Sequence, residues 1–238
     1  MSFSLTKAKE ITLDILFPPI CIACEKSLLP HEKDRFICEN CFSGIQINST
    51  LTCPVCRARL ADNKKICHKE ASYRLAAAAN YDNELVKNLI WQLKFQKKTV
   101  AAKILGEILF LHLSSFRFPL ASFLLIPIPL HKNRKRERGF NQSELIAEAL
   151  EKKTGLPMVT NALIRIKDTP PQTETRDFEE RKKNMEKSFM VLYPDLIKNK
   201  NIILIDDVFT SGSTITEAVK TLKSHGAKRV IALTVAKA

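Results

Sequence analysis

Beyond Cys67 the chain has no cysteine. All seven fall between Cys21 and Cys67, so a small N-terminal module, residues 1–70, is expected to precede a larger domain, 71–238. Long apolar runs are also missing. The longest, Phe123 to Leu130, carries two prolines and is too short to span a bilayer. Residues 1 to 17 hold Lys7, Lys9, Glu10 and Asp14, which break the apolar core that a secretory signal needs. These absences point to a soluble, cytoplasmic chain, in which Cys-x-x-Cys pairs serve metal rather than disulfides. Acids are the scarce charge: 25 Asp+Glu against 38 Lys+Arg leave +13 over 238 residues. Such an excess favours phosphate-bearing partners, whether nucleic acid, anionic lipid or phosphorylated small molecules. Hydrophobic residues, at 45%, suffice for a sizeable core.

Three Cys-x-x-Cys knuckles are present: Cys21/Cys24, Cys38/Cys41 and Cys53/Cys56. Two neighbouring knuckles can set four thiolates tetrahedrally around one zinc ion, so Cys21, Cys24, Cys38 and Cys41 are assigned one structural Zn2+. Cys53, Cys56 and Cys67 supply three thiolates for a second metal, with His68 or an open position to complete it. A metal-free second set, or a cross-braced pairing of first knuckle with third, stays open at this stage. Four thiolates leave no open position, which argues against a catalytic zinc. His31, between the first two knuckles, reads as a surface residue. So small a module has too little core to fold alone, and metal is expected to supply its folding energy.

The most informative stretch is Asn201 to Thr214, N-I-I-L-I-D-D-V-F-T-S-G-S-T. The apolar run Ile202 to Ile205 suits a buried parallel strand. It ends in adjacent carboxylates, Asp206 and Asp207. A hydroxyl-rich loop, Thr210-Ser211-Gly212-Ser213-Thr214, then opens an amphipathic helix, Ser213 to Ser224. Free N–H groups, the helix dipole and the hydroxyls converge there as a phosphate cradle. Acids beside such a cradle serve what the phosphate is attached to: sugar hydroxyls or a phosphate-bound metal. The stretch resembles the phosphoribosyl pyrophosphate (PRPP) loop of type I phosphoribosyltransferases. The resemblance implies that Asp206 and Asp207 hold the ribose hydroxyls and that residues 210–214 hold the 5′-phosphate of Mg2+-bound PRPP.

Elsewhere, periodicity predicts strands at 73–80, 123–128, 159–166, 188–192 and 229–234 and helices at 84–95, 100–113 and 143–155. With 201–205 the strands are expected to form a mostly parallel sheet. Trp91 reads as a packing residue, with base stacking as the alternative. Residues 131–142, H-K-N-R-K-R-E-R-G-F-N-Q, read as a basic loop at a strand's C-terminal end. In type I phosphoribosyltransferases the equivalent loop binds pyrophosphate, which makes Arg134 and Arg138 the candidates. The long polar stretch 167–186 matches the mobile flap of those enzymes, with Gln172 and Arg181 as contacts in its closed state.

A cysteine module ahead of a PRPP loop, with R-G-F-N-Q at 138–142 and T-x-x-Q…R-x-x-N at 169–184, resembles the competence protein ComF family. That resemblance covers nearly the whole chain. It implies an α/β fold: a type I phosphoribosyltransferase-like, mostly parallel sheet flanked by helices, preceded by a zinc-finger or ribbon module. It also implies a cytoplasmic role in natural transformation, handling single-stranded DNA beside a helicase-like partner. The competing expectation is an active phosphoribosyltransferase of nucleotide salvage, with an acceptor base the sequence does not name.

Overall fold

The computed structural model describes residues 17–60, 66–116, 119–168 and 185–238. The chain forms two compact units, Met1–Ile45 and Gln46–Ala238.

In the first unit a bridge between Ile20 and Ser27 closes the first knuckle. A 3-10 turn (Pro30–Arg35) and a short helix, α1 (Glu39–Ser43), follow. The buried Glu32 ties them together: its carboxylate accepts the backbone N–H of Glu39 (2.6 Å) and of Leu29 (2.8 Å). Those two bonds hold its pKa below the ordinary value. Few apolar side chains are buried here, chiefly Leu28, Ile37 and Ile45. His31 is exposed, as expected.

The second unit is built on a six-stranded sheet. Its strands are β1 (Leu51–Thr52), β2 (Arg59–Leu60), β3 (Arg74–Asn80), β4 (Phe123–Pro127), β7 (Asn201–Phe209) and β8 (Arg229–Lys237), in the order β2-β1-β3-β8-β7-β4. β3, β8, β7 and β4 are parallel, and β1 joins β3 antiparallel. Residues 46–52 are therefore part of this unit. Asn48 fastens them: its N–H donates to Ala78 O (2.7 Å) and its Nδ2 to Ala77 O (2.9 Å). The buried His112, kept neutral by a pKa that burial lowers to about 4, donates Nδ1–H to Asn48 O (2.5 Å). The compact division thus falls earlier than the expected seam at 70.

This unit includes the helices α2 (Glu84–Phe95), α3 (Val100–Ser114) and α5 (Gln142–Thr154). α2 starts where Asn83 Oδ1 accepts the N–H groups of Leu85 and Val86, both at 3.1 Å. α3 and α5 cross closely because Gly106 has no side chain; a Cβ there would lie 2.5 Å from Ala149 Cβ. The other face of the sheet, with Leu124, Ile126, Ile202 and Leu204, packs against α6 (Ser213–Ser224) through Ile215, Ala218, Val219 and Leu222.

Two sequence expectations need correction. Residues 159–166 and 188–192 do not extend the parallel sheet. They form a separate antiparallel pair, β5 (Leu163–Arg165) and β6 (Phe189–Val191). Met158 makes one parallel bridge to Leu125 of β4. The chain then leaves so that Leu163, Phe189 and Val191 can join the apolar face shared with α6. Residues 132–138 are not a loop but a helix, α4 (Lys132–Arg138), capped by His131 Nδ1 and ended by Gly139 at φ 89°.

Gly106→Val should cost about 1–3 kcal/mol, because two packed helix backbones must separate. Urea unfolding of the variant against the parent measures it.

Candidate active site and metal centres

β7 is flanked by β4 and β8, so its C-terminal end opens into the crevice where open α/β sheets bind ligands. A cleft of about 600 Å³ lies there. Its walls include Asp206, Asp207, Thr210, Gly212 and Thr214 from β7 and the following loop, and Arg134 and Arg138 from α4. The predicted acids, loop and arginines therefore share one cavity. Ser211 and Ser213 are not among its lining; their hydroxyls meet each other at 3.0 Å. The strand runs on to Phe209, past the expected end at 205.

Both acids are almost fully buried. Ser143 Oγ–H and the Asp207 N–H each donate to Asp206 Oδ1 at 2.9 Å. Asp207 pairs with Lys94, at the end of α2. Burial, then the charge of Asp207, push Asp206 up to about 7, against Lys94 and the Ser143 bond. Burial also works against charge on Asp207, but the Lys94 charge and hydrogen bond outweigh it and hold this carboxyl below the usual range. One acid is thus fixed as an anion, and its neighbour is balanced near neutrality.

Gly212 is required in the loop. Its φ is 79°, and a Cβ there would lie 2.5 Å from the Phe209 ring. It is the N-cap of α6, so the helix's free N–H groups and positive dipole end sit beside the acids. The 138–142 segment divides its work. Arg138 lines the cleft and donates to Gln142 Oε1; Gly139 ends α4; Asn141 caps α5 by accepting the Ser143 N–H at 3.1 Å. That cap also sets the backbone of Ser143, the donor to Asp206.

Sequence reasoning missed three cations. Lys94 follows Ile90 by four residues and adjoins Leu93, on the buried stripe of α2; a cation there was the available signal for a buried anion. Arg165, half-buried in the cleft wall on β5, and Arg57 left no such trace. Gln172, Thr173, Arg176, Arg181 and Asn184 lie outside the described residues.

The cysteines gather into two sets, each with its ligand atoms all within 4.8 Å of one another: Cys21, Cys24, Cys38 and Cys41, and Cys53, Cys56, Cys67 and His68. Neighbouring knuckles pair, and the cross-braced alternative does not occur. Cys24 and Cys38 sulfurs are 3.8 Å apart, close to the spacing of two thiolates on one tetrahedral zinc. Cys21 Sγ accepts the N–H groups of Ala23 and Cys38 at 3.4 Å, a bond that suits a thiolate. In the second set His68 Nδ1 lies 3.5 Å from Cys53 Sγ and 3.3 Å from Cys67 Sγ. Both donor sets fit a closed, structural Zn2+.

The phosphoribosyl transferase domain family matches residues 143–238 and the double zinc ribbon domain family matches residues 12–69. Competence protein F of Haemophilus influenzae is 27% identical over 221 residues, 88% of this chain and 93% of that protein. Competence protein ComFC of Bacillus subtilis is 27% identical over 238 residues, covering 87% and 90%. The DNA utilization protein YhgH of Escherichia coli K12 is 29% identical over 222 residues, covering 90% and 94%. Over about nine tenths of its length the chain is similar to competence proteins of the ComF type. Its fold is the type I phosphoribosyltransferase fold with an N-terminal double zinc ribbon.

In this chain the second cysteine set reaches the 210–214 loop through one residue. Arg57 follows Cys56 directly, in a left-handed turn at φ 62°. Its Nη2 donates to Thr210 O at 2.9 Å, and its guanidinium lies 4.4 Å from the centre of the Phe209 ring. The same ring forbids a side chain at Gly212. The knuckle is therefore a strut under the loop.

Arg57→Ala should cost about 1–3 kcal/mol of stability, since a charged donor leaves a backbone carbonyl and a ring face. Hydrogen exchange should speed up at 209–214 more than in β4; uniform protection across both would refute the strut. Asp206 makes a pH prediction. Its folded pKa is raised from 3.8 to about 7, so its contribution to stability is lost as pH rises from about 4 through 7. The melting temperature of Asp206→Asn relative to the parent should therefore climb across that window, as a thermal unfolding series in pH would show.

Proposed function

We propose that this protein binds PRPP with Mg2+ in the β7 cleft and handles single-stranded DNA during natural transformation, in the cytoplasm beside a helicase-like partner. Residues 1–70 act as its zinc-binding module and 71–238 as its phosphoribosyltransferase-like domain. One observation carries the PRPP part: two buried acids, a loop at a helix N-terminus and two arginines line one cleft. Those three features suit the three parts of PRPP. Asp207 and Asp206 accept hydrogen bonds from ribose hydroxyls. The 210–214 loop donates N–H and hydroxyl groups to the 5′-phosphate. Arg134 and Arg138 neutralise pyrophosphate. Mg2+, bound with the ligand, supplies further positive charge to the pyrophosphate oxygens. The DNA part rests on the names of the relatives and on the excess of basic residues.

Mg2+-PRPP at a hundred times its dissociation constant should stabilise the protein by about 2.7 kcal/mol, and the Asp206→Asn, Asp207→Asn double variant should show no such gain. Equal gains in both would refute the assignment of the acids. Pyrophosphate release measured in the same samples, with and without DNA, separates two modes. Release that needs both acids makes the protein a transferase or PRPP hydrolase. Binding without release makes it a ligand-sensing DNA-handling protein.

A further inference from the structure

α2 buries Val86, Leu89, Ile90 and Leu93, yet leaves two large aromatic side chains in solvent: Trp91 at 48% and Phe95 at 63% exposure. They are one turn apart, with ring centroids separated by 6.4 Å and planes inclined at 40°. Neither is needed for the helix to pack, and each forgoes the burial that makes such residues stabilising. Trp91 is the chain's only tryptophan.

Their location gives the exposure a use. Phe95 stands in the wall of the β7 cleft, next to the Lys94 that pairs with Asp207. Beyond it the chain turns through Lys97, whose backbone is left-handed at φ 56°, a conformation that costs a residue with a Cβ about 1–2 kcal/mol. That turn puts Lys97 in the cleft wall as well, with Lys98 beside it, and both are exposed. Two aromatic faces and two ammonium groups thus form a ledge that runs from open solvent into the cleft.

We infer that this ledge seats single-stranded DNA: bases stack on Trp91 and Phe95, and backbone phosphates pair with Lys97 and Lys98. Stacking on aromatic rings combined with cationic contacts to the backbone is how sequence-tolerant single-strand binders work. A duplex keeps its base faces stacked inside and cannot use such rings. The ledge also delivers a base to the cavity that holds the acid pair, which makes a nucleobase in a DNA strand the substrate class that can meet PRPP there. The inference rests on the DNA-handling reading above and gives it a location.

The test uses the full-length, zinc-loaded protein and a fluorescently labelled oligo(dT) at low salt. Because Trp91 is unique, its fluorescence reports the ledge alone, while anisotropy of the labelled strand reports binding anywhere. Quenching of Trp91 should track anisotropy. Phe95→Ala should weaken the DNA complex by roughly 5- to 150-fold, the range for losing one stacked base. Replacing Lys97 and Lys98 with Gln should flatten the salt dependence of log affinity by about 1.4, for two lost phosphate contacts on a single strand. Trp91→Ala, outside the cleft, should also lose DNA affinity while keeping its melting temperature shift with Mg2+-PRPP, which shows that the fold survives. Tight DNA binding without quenching, unchanged by Phe95→Ala, would overturn the ledge and leave the DNA-handling reading standing. Absence of any binding to the parent protein at low salt would overturn both.

Discussion

Lys94 and Asp207 meet at the C-terminal end of β7, and much of the site follows from that pair. An apolar strand has carried two adjacent carboxylates out of water. Desolvation disfavours both charges, and each charge disfavours the other. One cation from α2 resolves half of the conflict: Asp207 stays ionised, and Asp206 rises toward neutrality with Ser143 as its donor. Breaking such a buried pair from one side typically costs about 3–5 kcal/mol. The pair therefore fixes the end of α2, and with it Phe95 and the turn at Lys97, against the cleft.

The loop that follows is held from a second direction. Phe209 is the shared part: it fills the space a side chain at Gly212 would need and offers its ring to Arg57. Arg57 itself is set by the knuckle of Cys53 and Cys56, whose turn closes with the Arg57 N–H on Cys53 O at 3.0 Å. A zinc ion held by that set, with no open coordination position, would influence the site without taking part in chemistry, by keeping one arginine under one loop.

Local pattern made some of this legible. The strand–loop–helix from Asn201 onward, the helix at 84–95 and the first cysteine set follow from residues adjacent in sequence, where periodicity and spacing carry the information. The basic run at 131–142 reads as a loop because its charges mask a helix of about two turns, which His131 and Gly139 cap. The β5–β6 pair was misplaced because short apolar strands do not say which sheet they join; the face shared with α6 decided that. Arg57 takes its role from Thr210 and Lys94 from Asp207, each far along the chain. A cation on the buried stripe of α2 calls for an anion, but the local sequence does not say which one. In sequence His68 is one option for completing the second metal set, and the fold groups its imidazole with the three sulfurs.

A crystal structure of the zinc-loaded protein with Mg2+-PRPP tests the central claim most directly. The account predicts ribose hydroxyls on Asp206 and Asp207, the 5′-phosphate against residues 210–214 at the start of α6, and pyrophosphate toward Arg134 and Arg138. A ligand bound elsewhere, or a cleft without ligand at saturating PRPP, would contradict it.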